Sequence, residues 1–321
     1  MINTRNRILM NSILYICRNF YEPLLNKANV VGIGLGYRQV KGFYTSQFCI
    51  HVLVNKKINS SYLPFEDRIP NVYMGYKTDV IETGEITESE SQNLSGLLVD
   101  RVRPLIGGYC IMAEGVSTGT MACVVKKRTR TGYDYFILSN NHILAGRNKL
   151  PIGAAVIQPS MEYGGDPIKD IVAELTKYIP IKDINPIYSP TNYVDCAIAK
   201  ILNVNNISNK LALEGPIKGV SSIQLGEPVI KVGMKTGLTN GTVTTVGLTI
   251  KIKSNDGKHT ALYKDVTRAD IVTGTGDSGA LVINRTNYAV GLHFAGNHKT
   301  FSIFCSIAKC LKELNVELYT G

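Results

Sequence analysis

Apolar residues near the start of the chain recur first at helical spacing and then in strand-like runs. In residues 5–27 the apolar side chains lie three or four positions apart, which predicts an amphipathic helix that docks on a core. Strand-like runs follow at residues 30–37, 48–55 and 72–81. The pattern predicts a small α+β module over residues 1–81.

From residue 96 onward, short apolar runs alternate with turn residues, which is typical of an all-β sandwich or barrel. The predicted strands cover residues 119–126, 134–140, 154–158, 170–175, 194–201, 228–232, 241–251, 280–283 and 289–294. Near the C-terminus Ile307, Leu311, Leu314 and Val316 are spaced as in one closing helix.

Between these two regions, residues 82–95 are acidic, polar and poor in apolar side chains. Such a composition cannot form a core and is typical of a linker. We therefore divide the chain into an N-terminal module (1–81), an acidic linker (82–95) and a β-rich domain (96–321).

The chain has a formal net charge of +10, which raises the question of nucleic-acid binding. The basic residues are scattered, however, and the dense run at residues 126–130 reads as a solvated hairpin tip. The charge instead favours anionic partners or acidic substrates. We expect no nucleic-acid partner.

Seven cysteines, odd in number and without a C-x-x-C pair, indicate a reducing compartment, so we expect a cytoplasmic protein. Residues 8–17 form only a weak secretory core, interrupted by Asn11 and Ser12 and followed by no A-x-A cleavage site. No apolar stretch approaches the ~20 residues that span a bilayer, so no membrane association is expected.

No cofactor or metal is expected either. The run G-I-G-L-G at residues 32–36 has the wrong spacing for a dinucleotide loop and no helix pattern follows it. His51 and His259 each lie far in sequence from a second ligand.

The segment T-G-D-S-G-A-L-V at residues 275–282 is the most specific chemical signal. Hydrolysis by a serine needs its hydroxyl on a tight turn whose backbone N–H groups converge on a developing oxyanion, and glycine permits that turn. Ser278 is the candidate nucleophile.

A serine nucleophile needs an adjacent base, and the base needs an orienting carboxylate. His142 follows an apolar strand and lies upstream of Ser278, and Asp195 opens the apolar run A-I-A-K-I. We favour Asp195 as the carboxylate. Its competitors are Asp170, which opens D-I-V-A-E and is the serious rival, and the loop residues Asp166 and Asp183.

The segments H-I-L-A, V-D-C-A-I-A and G-D-S-G, in that order, resemble the trypsin-like peptidase family over residues 96–321. The resemblance implies a mainly β, chymotrypsin-like double β-barrel with the site between the barrels and an oxyanion hole formed by Gly276 and Ser278. Residues 233–243 resemble a hairpin of the bacterial members. S-N-N-H-I replaces the family's T-A-A-H-C, so the disulfide beside the histidine is absent, and no I-V-G-G segment supports activation by a freed amine.

For the specificity pocket the resemblance points to Val272, Thr273 and His293, with Val272 at the base. The pair Thr273 and His293 is similar to that of glutamyl endopeptidases and of relatives that prefer glutamine. Both side chains can hydrogen-bond a carboxylate. Asp270 lies near these residues in the sequence, so a preference for lysine or arginine before the scissile bond is the alternative.

These observations predict a cofactor-independent serine endopeptidase acting on protein or peptide substrates. The alternative is a catalytically silent scaffold that binds peptides or partners, with contacts made by the N-terminal module. Four glutamates of the linker are expected to be exposed, which predicts self-processing there: Glu82, Glu85, Glu88 and Glu90.

Overall fold

A computed structural model describes residues 4–88, 97–297 and 299–321. Its helices are α1 (Thr4–Asn19), α2 (Glu22–Leu25), α3 (Asn141–Leu144) and α4 (Ile307–Leu314). Single 3-10 turns lie at Ser60–Tyr62, Phe65–Asp67, Met161–Tyr163 and Val204–Asn206. The strands, in chain order, are β1 (Val30–Val40), β2 (Phe43–Val54), β3 (Val72–Tyr73), β4 (Tyr76–Glu82), β5 (Thr87–Glu88), β6 (Cys110–Ala113), β7 (Gly119–Thr120), β8 (Cys123–Arg128), β9 (Tyr133–Ser139), β10 (Ala155–Ile157), β11 (Ile171–Tyr178), β12 (Thr191–Asn192), β13 (Ala197–Ile201), β14 (Lys210–Leu211), β15 (Gly215–Pro216), β16 (Gly219–Val220), β17 (Pro228–Gly233), β18 (Gly237–Lys253), β19 (Thr260–Ala269), β20 (Leu281–Asn284), β21 (Tyr288–Gly296), β22 (Ser302–Ser306) and β23 (Glu317–Leu318).

The first barrel is built from strands β6 to β13. Antiparallel pairing runs from β8 through β9, β13, β11 and β10 to β6. Strand β6 then pairs with β7, and two residues join β7 to β8 at the other end of this order. Burial alternates from Ala173 to Thr176 of β11, as expected where one face of a sheet covers a core.

The strand pairings of the second barrel form a closed ring. Strand β17 pairs with β18 and β20, β18 with β19, β19 with β22, and β21 joins β22 to β20. Helix α4 follows β22, and β23 then adds to β8 of the first barrel. The expected mainly β, chymotrypsin-like arrangement of two barrels with a closing helix is confirmed.

The N-terminal strands extend the sheet of the second barrel. Strand β18 is 17 residues long, and its far part pairs with β1, for example Gly32 with Ile250. Strand β2 pairs with β1, and β4 runs parallel to β2. Leu53 and Ile81 of these strands belong to the same buried cluster as Ile250. The module and the second barrel therefore share one core.

Helix α1 lies on β1 and β18 and buries Ile13, Ile16 and Cys17. The prediction of one helix over residues 5–27 is wrong in extent, because α1 ends at Asn19 and α2 starts at Glu22 with a proline in its first turn. Proline is tolerated there but cannot continue a preceding helix.

Strands β6, β19 and β22 were not among the predicted runs. All seven cysteines are buried and free. Over the three described ranges, no helix is both long and apolar enough to cross a membrane.

Candidate active site

Ser278 lies in a tight turn that opens β20. Gly276 and Gly279 flank this part of the turn with φ angles of 112° and 91°, in a region that favours glycine. A Cβ at position 279 would lie 2.1 Å from the carbonyl oxygen of Thr120. The glycines of the G-D-S-G segment are therefore required by the backbone.

Thr120 on β7 anchors this turn to the first barrel. Its backbone N–H donates to the carbonyl of Ser278 at 2.7 Å, and its hydroxyl donates to the carbonyl of Gly276 at 2.8 Å. The Ser139 hydroxyl in turn donates to the carbonyl of Thr120 at 2.7 Å. Because Ser139 ends β9 just before the turn that carries His142, both parts of the site are fixed to one frame.

The side chain of Asp277 is fully buried and organises the other side of the turn. Its Oδ2 accepts from Lys231 Nζ at 2.7 Å and Thr236 Oγ1 at 2.6 Å, and its Oδ1 accepts from the backbone N–H of Lys235 at 3.0 Å. A Cβ at Gly233 would lie 2.3 Å from Oδ1. The glycine-rich hairpin of residues 233–237 thus wraps around a carboxylate.

Burial alone would raise the pKa of Asp277, but the charge of Lys231 and the hydrogen bonds to the carboxylate outweigh it and lower the pKa to about 2. Lys231 is itself fully buried on β17. Sequence analysis missed this lysine. The available signal was a lysine inside the apolar run P-V-I-K-V-G, which a charged residue enters only with a partner.

His142 lies in α3 against Asp195. The distance from His142 Nδ1 to Asp195 Oδ2 is 2.5 Å, and both side chains are fully buried. Asp195 Oδ1 also accepts from the backbone N–H groups of Asn141 at 2.7 Å and His142 at 3.3 Å. One carboxylate thus holds both the ring and the backbone of the histidine turn.

The competing aspartates have other partners. Asp170 accepts from Arg101 Nε at 2.8 Å, Asp166 accepts from the backbone N–H of Ile168, and Asp183 pairs with Arg147. Each is thereby engaged elsewhere, whereas Asp195 contacts the imidazole.

The expected specificity residues are brought together only in part. Thr273 Oγ1 and His293 Nε2 are 2.9 Å apart and buried. His293 Nδ1 lies 3.2 Å from the carbonyl of Ile303, which can only accept, so Nδ1 carries the proton of that bond. Val272, expected at the base of the pocket, is 50% exposed.

Asp270, the candidate for recognition of a basic side chain, is exposed. Its carboxylate accepts from the backbone N–H of Thr242 at 3.2 Å, and it borders a separate groove with Tyr37 and Tyr44.

The expectation that the linker glutamates are exposed is wrong for Glu88. Its side chain is fully buried and forms an ion pair with Arg147, while Glu82 and Glu85 are exposed and Glu90 lies outside the described residues. One oxygen of Glu88, one of Asp195 and a ring nitrogen of His142 lie within 4.8 Å of one another. A cavity of about 240 Å³ adjoins Glu88 and His142.

Two clusters that contain a histidine do not have the character of a metal site. In the cluster of Glu88, His142 and Asp195, the Arg147 guanidinium already neutralises Glu88. In the second, Cys49, His51 and Asp79, both ring nitrogens of His51 lie 2.9 Å from Thr245 Oγ1 and the Tyr37 carbonyl. Burial lowers the pKa of His51 to about 4, so its ring stays neutral at pH 7.

Comparison with known proteins gives a family match for the N-terminal part and, separately, a structural likeness over 67% of the chain. The model of the NARROW LEAF 1 N-terminal domain matches residues 9–83, less than a third of the chain. None of the curated proteins matches the sequence.

Thermobifida fusca protease A is similar at 16% identity and a TM-score of 0.48, covering 67% of this chain and 98% of that one. Cellulomonas bogoriensis chymotrypsin is similar at 17% identity and a TM-score of 0.47, and the match covers 67% of this chain and 98% of that one. A third similar structure is a serine protease described as glutamic acid specific, using a histidine triad in substrate binding. The identity is 19% and the TM-score 0.47, and the match covers 67% of this chain and 100% of that one. At these values the likeness carries no argument about chemistry.

The buried pair of Lys231 and Asp277 generates a stability prediction. Replacing Lys231 with Met keeps most of the apolar stem but leaves a buried carboxylate without its charge partner. We expect the free energy of unfolding at pH 7, measured in urea, to fall by about 3–5 kcal/mol. Lys253→Met, which removes an exposed ion pair with Glu85, is the control and should change stability by less than about 0.5 kcal/mol.

The pH dependence gives a second readout. In the unmodified protein the lowered pKa of Asp277 stabilises the fold above the ordinary value of about 3.9, and this contribution is lost as the pH falls toward 2. In Lys231→Met, burial should raise the pKa of Asp277 instead. The loss in the free energy of unfolding, relative to the unmodified protein, should therefore shrink between pH 7 and pH 4. Equal losses in the two lysine variants would contradict the role of the pair.

Proposed function

We propose that the chain is a serine endopeptidase in which Ser278 is the nucleophile, His142 the general base and Asp195 the orienting carboxylate. The observation that carries the proposal is the 2.5 Å contact of His142 Nδ1 with buried Asp195, on the frame that also anchors the Ser278 turn. A carboxylate acceptor keeps the proton on Nδ1 and leaves Nε2 as the basic nitrogen. Proteins and peptides are the proposed substrates.

The reaction follows from these roles. Ser278 Oγ attacks the scissile carbonyl while His142 Nε2 takes the hydroxyl proton, and the N–H groups of Gly276 and Ser278 receive the oxyanion. Collapse of the tetrahedral intermediate breaks the C–N bond, and His142 delivers its proton to the leaving amine. Water then hydrolyses the acyl ester by the same route and frees Ser278.

Covalent labelling tests these roles. A fluorophosphonate should label Ser278, and Ser278→Ala should lose the label. His142→Ala should lower peptide turnover by about 10⁴-fold, and Asp195→Asn by a similar factor because the imidazole tautomer is wrong. Asp170→Asn is the control and should remain active. Absence of label under every condition would favour the silent scaffold, and near-normal turnover in Asp195→Asn would remove the role of that residue.

We further propose a preference for glutamate or glutamine before the scissile bond. The support is the buried pair of Thr273 and His293, in which the hydroxyl, and Nε2 of the imidazole when the ring is protonated, can both donate to a carboxylate or amide oxygen. Asp270 is exposed and bound to the Thr242 backbone, which leaves it poorly placed to receive lysine or arginine.

Paired substrates test this preference. Peptides with glutamate or glutamine before the cut should react faster than peptides with lysine or arginine. His293→Ala should reduce the preference by about 1–3 kcal/mol, or about 5- to 150-fold in the ratio of kcat/KM. Asp270→Asn is the control and should leave it unchanged. Efficient cleavage after arginine that is lost in Asp270→Asn would reverse the assignment.

Self-processing in the linker follows from the same preference. Glu82 and Glu85 are exposed, so a neighbouring copy could reach this region, whereas a cut at Glu88 requires its buried side chain to leave first. Intact mass should reveal fragments ending at residues 82–90 during storage of the active protein but not of Ser278→Ala. A single unchanged mass in both samples, with peptide turnover intact, would exclude it.

A further inference from the structure

The short strand β5 lies along the candidate cleft. Thr87 pairs with Gly296 and Glu88 with Ala295, antiparallel to β21, and Thr87 also pairs with Lys253 of β18. The opposite edge of this part of β21 is occupied by β22. The residue before Ala295, Phe294, has its carbonyl oxygen 3.4 Å from Ser278 Oγ. Strand β5 therefore covers the edge next to the nucleophile.

Addition of a strand to a sheet edge is a general way for proteins to bind extended peptides. A peptide held along β21 would place its backbone next to Ser278 and His142. Strand β5 takes that place with two residues of the chain itself. Ser278 and His142 have no exposed surface, so a peptide cannot reach them in this conformation.

The position of β5 is locked by charge. Buried Glu88 pairs with Arg147, and the second guanidinium nitrogen of Arg147 bonds Asp183. Burial would lower the pKa of Arg147, but Glu88 and Asp183 outweigh it and raise the pKa, so the guanidinium stays charged. A buried carboxylate is costly without such a partner, so Glu88 and Arg147 hold each other in place.

We propose that Thr87–Glu88 is an intramolecular blocker that occupies the peptide-binding edge and keeps Ser278 unreactive until it is displaced. The inference rests on the proposed peptidase function, since a blocker presupposes a reactive serine. Release requires the pair of Glu88 and Arg147 to separate and β5 to leave β21. Activation by this route needs no new N-terminus.

Removal of the lock should activate the protein. The rate at which a fluorophosphonate labels Ser278 is measured for the full chain and for Glu88→Gln and Arg147→Gln, each checked by thermal unfolding. We expect labelling at least tenfold faster in both variants. Glu85→Gln is the matched control, because Glu85 lies three residues before Glu88 and its ion pair with Lys253 is exposed, so its labelling should equal that of the unmodified chain.

A reversible lock gives the converse test and does not depend on the stability of the buried variants. Thr87 and Lys253 are partners in register, so Thr87→Cys combined with Lys253→Cys should form a disulfide that pins β5 while Glu88 is retained. The seven native cysteines are buried and free. Labelling should be at least tenfold slower in the oxidised form, and a reductant should restore it.

The outcomes separate the two proposals. Ser278-dependent labelling at one common rate in the unmodified chain, Glu88→Gln and both redox forms would overturn the blocker and leave the peptidase intact. Absence of Ser278-dependent labelling in every variant would overturn the peptidase, and the blocker with it. Faster labelling in Glu85→Gln equal to that in Glu88→Gln would also overturn the buried lock.

Discussion

The buried carboxylate of Asp277 is the constraint on which the candidate site depends. It is adjacent to Ser278 in the chain and accepts hydrogen bonds from β17 and from the hairpin that leads into β18. The shape of the serine turn is therefore tied to the interior of the second barrel. Thr120 ties the same turn to the first barrel. The two barrels meet at this turn through hydrogen bonds whose geometry leaves little freedom.

An internal ammonium group from Lys231 neutralises that carboxylate. Lys231 lies on β17 and reaches Asp277 from within the second barrel. The turn can therefore reach its final shape as soon as the second barrel folds. The proposed control of the site therefore acts elsewhere, at the buried Glu88 beside His142.

Much of this arrangement was predictable because its signals are local. Glycines before and after Ser278, the apolar strand before His142 and the apolar run after Asp195 each reflect a nearby backbone requirement. Most strands of the two barrels were also predicted, since alternation is a local pattern. The 50% exposure of Val272, by contrast, depends on how distant residues pack around it and has no local signal.

Residues whose roles arise from distant partners were not predictable. Glu88 lies in a polar, acidic stretch, and only its pairing with β21 and Arg147 buries it. The apolar run around Lys231 signals a buried charge with a partner, but that partner lies 46 residues away and is not identified by the run itself. Strand β18 extends beyond the predicted residues 241–251, because residues 237–240 pair with β17 and residues 252–253 pair with β19.

The connection between β4 and β5 has a mechanical consequence. Strand β4 ends at Glu82 and β5 begins at Thr87, so four residues join the N-terminal sheet to the strand beside His142. The backbone N–H groups of Thr83 and Gly84 donate to the carbonyls of Val54, the last residue of β2, and Asn55, so half of this connection is fixed to β2 and its end. The remaining two residues reach about 7 Å when extended. A displacement of the N-terminal sheet away from β5 by more than that distance would place β5 under tension. Movement of this sheet is therefore coupled to the strand in the cleft.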